Sequence, residues 1–306
     1  MAKLLFNFLF ILFLGQFVCS QSHSNKLNVL ILDGFSNHNW KQTSLLVKSI
    51  LEESNLFNIT ISTAPSTLKG SAWQNWRPKF ENFDVVIQNT NNIQNKKIHW
   101  PQEVQKDLEN YVRSGGGLYI LHSANNAFSK WDEYNLMIGL GWRSETEGIA
   151  LQISENKKIV EIPVGKGKPT FHGPRNDEAI YILNNHPINR GFPQVWKTPD
   201  LELYKFARGP AKNLTVLSYA IDDNTNINWP VEWVVSYGKG RVYNSSMGHL
   251  WEGESYPISY RCVGFQTTLI RATEWLATGN TSYEIPDNFP TQNKMELISI
   301  TTNTPK

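Results

Sequence analysis

The feature that most limits how this chain can fold is an alternation of short apolar runs with helical patterns through its first half. Residues 27–32 (LNVLIL), 58–62, 84–88 and 117–121 are apolar runs of strand length. Residues 39–54 carry Trp40, Val47, Ile50 and Leu51 at helical spacing. Pro101 opens a stretch with Val104, Leu108, Tyr111 and Val112 on one face and Gly115 at its end. Strands that alternate with helices pair in parallel and are covered on both faces, which predicts a doubly wound α/β sheet.

From about Gly148 to Pro230 the pattern changes. Gly and Pro punctuate short alternating stretches at 149–153, 159–164 and 214–220, read as β and loop insertions in the same sheet. Residues 231–237 and 241–246, joined through Gly238-Lys239-Gly240, predict a hairpin that delivers Gly248-His249, and a helix over 259–278 closes the fold. The domain is therefore expected over residues 21–280, with a polar C-terminal tail over 281–306. A chain of 306 residues can bury a large core.

Residues 1–20 are set apart. Lys3, an apolar run and Val18-Cys19-Ser20 form a signal peptide pattern, predicting an exported protein, periplasmic or secreted, cleaved after Ser20. The run is short for a membrane span. A lipoprotein anchored through Cys19 is the alternative, although Gln16-Phe17-Val18 fits a lipobox poorly. Only Cys262 then remains, in a helical apolar pattern that predicts a buried, inert thiol. A formal net charge of +2 lacks the basic surplus of a nucleic-acid binder. The wealth of Trp, Tyr and Asn suits a protein that meets saccharides, whose apolar ring faces stack on aromatics and whose hydroxyls pair with amides.

In an open α/β sheet, ligands bind beyond the carboxyl ends of the strands. The predicted ends carry Asp33, His38 and Trp40; Asn89 and Thr90; His122, Ser123, Asn125 and Asn126; and His249, Trp251 and Glu252. Any one such histidine is ordinarily just a loop hydrogen-bonding group. Three on one rim point to a site, because imidazole exchanges protons near neutral pH. Ser123 as an elbow nucleophile is disfavoured, since Leu121 and Asn125 stand where small residues are wanted. Gly115–Gly117 precede a strand and cap a helix, so they form no phosphate cradle. The histidines show no metal-ligand spacing and no dinucleotide fingerprint follows the first strand, so neither a metal nor another cofactor is expected, although His38, His122 and His249 could converge in space. Trp131 and Glu133 follow the rim on a helical pattern whose ordinary role is a solvated acidic face; as site residues they would stack on a sugar and orient a histidine. His172 and His186 sit in loops.

Five stretches, "LILDGFSNHNW", "GGGLYILHSANNAF" with "WDEYNLMIGLGW", "HPINRGFPQVWKTPDLELY" and "PVEWVVSYGKGRVYNSSMGH", occur in the order seen in the trehalose-utilisation (ThuA-like) family, which residues 27–280 resemble. The resemblance implies a flavodoxin-like fold similar to class I glutamine amidotransferases and a role in saccharide metabolism. His122 falls where amidotransferases carry their elbow cysteine, so the thiol chemistry is lost. The family pattern picks out His38, Trp40, His122, Trp131, Glu133, His186, Glu202, Tyr204 and Gly248-His249. Leu250 and the position of Asp200 depart from it.

The resulting expectation is an exported enzyme that performs acid/base chemistry on an oligosaccharide: a dehydratase, lyase or isomerase, with a uronate as one substrate class. His122 and His249 are the expected base and acid, assisted by His38 and Tyr204. Glu133 orients one of them, Trp40 and Trp131 stack, Asn125, His172, His186 and Glu202 bind substrate, and Arg208 or Arg143 holds an acidic group. Two alternatives stay open, a hydrolase using Ser123 or a metal-bound water, and a saccharide-binding protein without activity. No nucleic-acid partner is expected, and a homo-oligomer is compatible with the sequence.

Overall fold

A computed structural model describes residues 26–68, 70–254 and 256–300. The leader expected over residues 1–20 lies outside the described residues. The first half runs β1 (Leu27–Asp33), α1 (Trp40–Glu53), β2 (Phe57–Thr63), α2 (Ser71–Asn75), β3 (Val85–Gln88), α3 (Gln102–Ser114), β4 (Gly117–Leu121) and α4 (Asp132–Ile138). Then follow β5 (Ile149–Ile153), β6 (Ile159–Ile162), β7 (Asn176–Ile182), β8 (Val195–Leu201), β9 (Arg208–Gly209), β10 (Leu214–Asp222), β11 (Ile227–Tyr237), β12 (Gly240–Ser245), α5 (Ile258–Arg261) and α6 (Val263–Thr278).

All the strands join one sheet in the order β2-β1-β3-β4-β12-β11-β10-β7-β8, with β5 joined to β11, β6 and β9. The first five are parallel. With β12 as fifth strand, their order is the flavodoxin-like 2-1-3-4-5. From β12 outward the pairing turns antiparallel through β11, β10, β7 and β8, so the insertions extend the sheet.

The strands bury both faces. On β1, Val29 and Ile31 enter the core shared with α1 and α6, while Leu30 and Leu32 enter the one shared with α3 and α4. Period-two alternation thus fills two layers from one uninterrupted apolar run. The helix ends follow their local chemistry. Asn39 caps α1 by accepting from the Gln42 N–H at 3.2 Å, and Gly115, at φ 128°, ends α3 in a conformation that side-chain-bearing residues avoid.

Two expectations change. The closing helix breaks at Cys262, whose ψ of 121° is extended, because the flanking residues pair with a returning chain: Val263 N–H to Glu296 O and Ile298 N–H to Arg261 O, each at 2.9 Å. The expected polar tail is accordingly packed. Phe289 is buried with its ring 4.4 Å from that of Phe192 and 5.5 Å from that of Trp196, and the N–H groups of Ser282 and Tyr283 donate to Glu274. This cover explains why α6 is buried on nearly every side. Trp196 on β8 crosses it at Gly264, where a Cβ would lie 2.4 Å from the ring.

Candidate functional site

The carboxyl ends of β1, β4 and β12 bring His38, His122 and His249 together. Their ring centroids lie 5.0 Å (His38–His122), 4.9 Å (His38–His249) and 5.2 Å (His122–His249) apart. All three are buried. His122 sits at the sharp turn from β4 into a short 3₁₀ segment, and its φ of 43° is unusual for a side-chain-bearing residue. Gly248, at φ 93°, makes the corresponding turn before His249.

Glu202, just past β8, completes the cluster. One carboxylate oxygen lies 3.5 Å from His122 Nε2, and the other lies 3.3 Å from His249 Nε2 and 3.6 Å from His172 Nε2. The Tyr204 hydroxyl is 3.5 Å from His122 Nε2. His122 Nδ1 donates to the Ser246 carbonyl at 2.7 Å, which leaves Nε2 with its lone pair. His249 is set the other way round: Arg175 donates to its Nδ1 at 2.7 Å, so Nε2 carries the proton. Arg175 is also held by Asp200 at 3.1 Å and Glu254 at 2.6 Å.

Burial lowers His38 to about 3 and His249 to about 2. Burial pushes Glu202 the other way, but the imidazoles around it outweigh that push and hold the carboxyl at about 2. At neutral pH the centre is therefore a carboxylate among imidazoles of which His38 and His249 are neutral. His249 offers Nε2–H as a hydrogen-bond donor and holds no second proton to release.

His38, His122, His249, Glu202, Tyr204 and His172, each named from the sequence, thus lie together at one centre. The other expected residues stand elsewhere. Glu133 pairs with Arg113 and accepts from the Tyr237 hydroxyl on the surface, because α4 turns its acidic face to solvent; Glu202 occupies the place expected for it. Trp131 is core, packed on Trp100 and Phe128 with Nε1 donating to Glu109. The Trp40 backbone reaches the rim, its carbonyl accepting from Asn89, but the ring stacked on His38, at 4.3 Å, is Trp251. His186 caps its own loop and packs on Trp275. Arg208 is fully buried and donates to the carbonyls of Lys166, Lys168 and Gly148. Arg143 likewise ties the backbone at Asn125, Ala127 and Trp142. Asn125 is buried with its side-chain amide unpaired and has no hydrogen bond to the cluster. Ser123 Oγ lies 3.5 Å from Ser36 Oγ and no imidazole activates it. Trp251 was named at the strand end beside His249 but given no role, whereas Arg175, in its Gly-Pro loop, carried no signal.

Fold and site together define a flavodoxin-like α/β protein with a histidine–carboxylate centre at its strand ends. Residues 28–276 match the ThuA family model, described as trehalose utilisation, and the chain belongs to that family. A ThuA-like protein from Parabacteroides merdae ATCC 43184 is 30% identical, with a TM-score of 0.82 over 89% of this chain and 98% of that one. More distant are a cytoplasmic protein from Salmonella typhimurium LT2 (14% identity, TM-score 0.47, 82% of this chain and 100% of that one) and a glutamine amidotransferase from Thermotoga maritima (11%, 0.41, 72% and 74%). No curated protein matches the sequence.

Proposed function

We propose that this protein is an enzyme that rearranges or eliminates from a saccharide by proton transfer at the His38–His122–His249–Glu202 centre. The observation that carries the reading is the convergence of these four side chains from distant parts of the chain on the strand ends where α/β sheets bind ligands. His122 Nε2, with its lone pair free, is the base that removes a proton beside a carbonyl and, as the imidazolium so formed, returns it to the departing hydroxyl in elimination or to the neighbouring carbon in isomerisation. The neutral His249, through Nε2–H, polarises the oxygen on which charge develops. The Tyr204 hydroxyl flanks His122, His172 flanks the Glu202 carboxylate, and Trp251, partly exposed over His38, offers a flat face to a sugar ring.

The saccharide class draws support from the family's description, trehalose utilisation. A cavity of about 390 Å³ lies beyond the ends of β3 and β4, shares no lining residue with the cluster, and offers Asn92, His99, Asn126, Ser129 and Lys130, groups of the kind that bind sugar hydroxyls and uronate carboxylates. The leader pattern of residues 1–20 places the reaction outside the cytoplasm in this reading.

The test is incubation with a panel of neutral and uronic oligosaccharides, followed by mass spectrometry and chromatography. Loss of one water, or an isomer of unchanged mass, abolished in His122→Gln, is the expected result. Gain of one water would replace the reading by hydrolysis. Calorimetric binding with no altered product would leave a saccharide-binding protein instead of an enzyme.

A further inference from the structure

The centre has too many acceptors facing one another to be complete as bare protein. His122 Nε2 bears a lone pair, because Nδ1 donates to the Ser246 carbonyl. His38 is fixed in the same sense by a relay that begins at a backbone amide, whose role is not in question. The Ile93 N–H donates to Asn91 Oδ1 at 2.9 Å, which turns Asn91 Nδ2 toward Asn37 Oδ1 at 2.6 Å. Asn37 therefore presents oxygen to His38 Nδ1 at 3.0 Å. That nitrogen must donate, and His38 Nε2 keeps its lone pair. This Nε2 is buried and has no hydrogen-bond partner. His172 repeats the pattern, with Nδ1 donating to the Gly173 carbonyl at 2.5 Å and Nε2 turned to Glu202.

Three imidazole lone pairs and a carboxylate thus share one small, largely buried space. Among the described residues, only the Tyr204 hydroxyl, at 3.5 Å from His122 Nε2, and the His249 Nε2–H, at 3.3 Å from Glu202, face them with protons, and the His249 nitrogen makes no hydrogen bond in this position. Buried acceptors opposed in this way destabilise one another unless a proton or a metal cation lies between them. The donor atoms offered by His38, His122, His249 and Glu202 all lie within 4.8 Å of one another. Imidazoles whose remote N–H is tied to a carbonyl are also the arrangement that orients metal-ligating histidines.

We infer that His38 Nε2, His122 Nε2 and the Glu202 carboxylate form a binding site for a divalent transition-metal ion, zinc foremost, with His249 beside it as a fourth ligand or a hydrogen-bond donor. Mixed imidazole and carboxylate donors suit zinc and the neighbouring first-row ions, and disfavour calcium and magnesium, which take oxygen. Arg175 decides the part played by His249: while it donates to Nδ1, Nε2 stays protonated and His249 remains outside the ion's coordination. Asp200 and Glu254 hold Arg175 in that position. Binding of the ion stands independently of the saccharide reading, whereas its part in turnover rests on that reading. His122 Nε2 has a single lone pair and either ligates the ion or takes a proton, so conversion retained with the ion bound would assign proton removal to a group other than His122.

The experiment measures metal binding to the purified protein without saccharide. Protein stripped by a chelator and dialysed is titrated with Zn²⁺ by calorimetry and with Co²⁺ by visible absorption, and zinc content is measured by elemental mass spectrometry. One equivalent is expected, with Co²⁺ bands of a histidine-containing site. Asn37→Leu, which removes the acceptor that orients His38, weakens binding about 10–100-fold, and Glu202→Gln and His38→Gln weaken it further. Circular dichroism and thermal unfolding of the stripped variants show whether each still folds, and the near-isosteric Glu202→Gln decides if a histidine variant does not. Failure of Zn²⁺ and Co²⁺ to bind at micromolar concentration overturns the inference, as does unchanged affinity in Glu202→Gln. An ion that binds while no saccharide is altered upholds the metal site and removes the saccharide reading. Saccharide conversion by a protein that binds no ion does the reverse.

Discussion

Replacing Phe289 by alanine tests whether the segment after α6 belongs to the fold. Its ring packs 4.4 Å from Phe192 and 5.5 Å from Trp196, with only 7% of the residue exposed. A buried aromatic side chain removes about 150–250 Å² from water, which at about 25 cal/mol per Å² sets a ceiling of about 4–6 kcal/mol. Core Phe→Ala substitutions cost about 3–5 kcal/mol. We expect about 3 kcal/mol, near the lower end, because this stretch has no regular secondary structure and relaxes into part of the space. Urea unfolding followed by tryptophan fluorescence reads this as a midpoint lowered by about 1 M, for a slope near 3 kcal/mol per M. Lys294→Ala, in the same segment but with an exposed side chain paired to Glu296, stays within about 0.5 kcal/mol of the parent. A loss below about 1 kcal/mol for Phe289→Ala, or an equal loss for both variants, would refute the claim that residues 280–297 help close the core.

Other outcomes follow from side chains that the fold places outside the centre. Ser123→Ala retains saccharide conversion, since Ser123 Oγ contacts Ser36 and no imidazole; a loss comparable to that of His122→Gln in the same mass-spectrometric assay would revive the serine mechanism. Arg208→Met destabilises by about 3 kcal/mol or more in urea, because three backbone carbonyls lose a buried charged donor, and a near-neutral result would contradict its structural role. Glu147 is held at about 2 against the upward push of burial by the Ser144 N–H and hydroxyl and by Lys130. A lowered carboxylate contributes stability above its unfolded value of about 4.3, and this is lost as the pH falls toward 2. Glu147→Gln should therefore narrow its stability gap from the parent as unfolding midpoints are followed from pH 5 to 2; a constant gap would rule the carboxylate out as the source.

Much of the architecture was legible because it rests on local periodicity. The run 27–32 and the amphipathic stretches over 39–54 and after Pro101 became β1, α1 and α3, with α3 bounded where Pro101 and Gly115 predicted. β7 and β8 were not anticipated: Asn176–Ile182 opens on three polar residues and Val195–Leu201 is interrupted by Lys, Pro and Asp, and their pairing is long-range. The break at Cys262 was hidden for the same reason, since residues 259–278 carry a helical pattern and only the returning strand at 296–298 interrupts it. In the site, histidines at strand ends were readable because parallel strands place their carboxyl ends on one rim. Glu133 and Trp131 were misplaced because sequence proximity to His122 says nothing about which way a helix faces.

What the chain determined by itself is therefore the parallel sheet and the presence of His38, His122 and His249 on its rim, since both depend on patterns a few residues long. Tertiary structure alone decided that Glu202 supplies the carboxylate, that Arg175 and the Asn91–Asn37 relay set which nitrogen of each imidazole bears a proton, and that Arg208 serves the backbone. Those outcomes depend on hydrogen bonds between residues tens of positions apart, whose geometry exists only once the loops after β1 and β3 meet and the antiparallel wing has folded back over the strand ends.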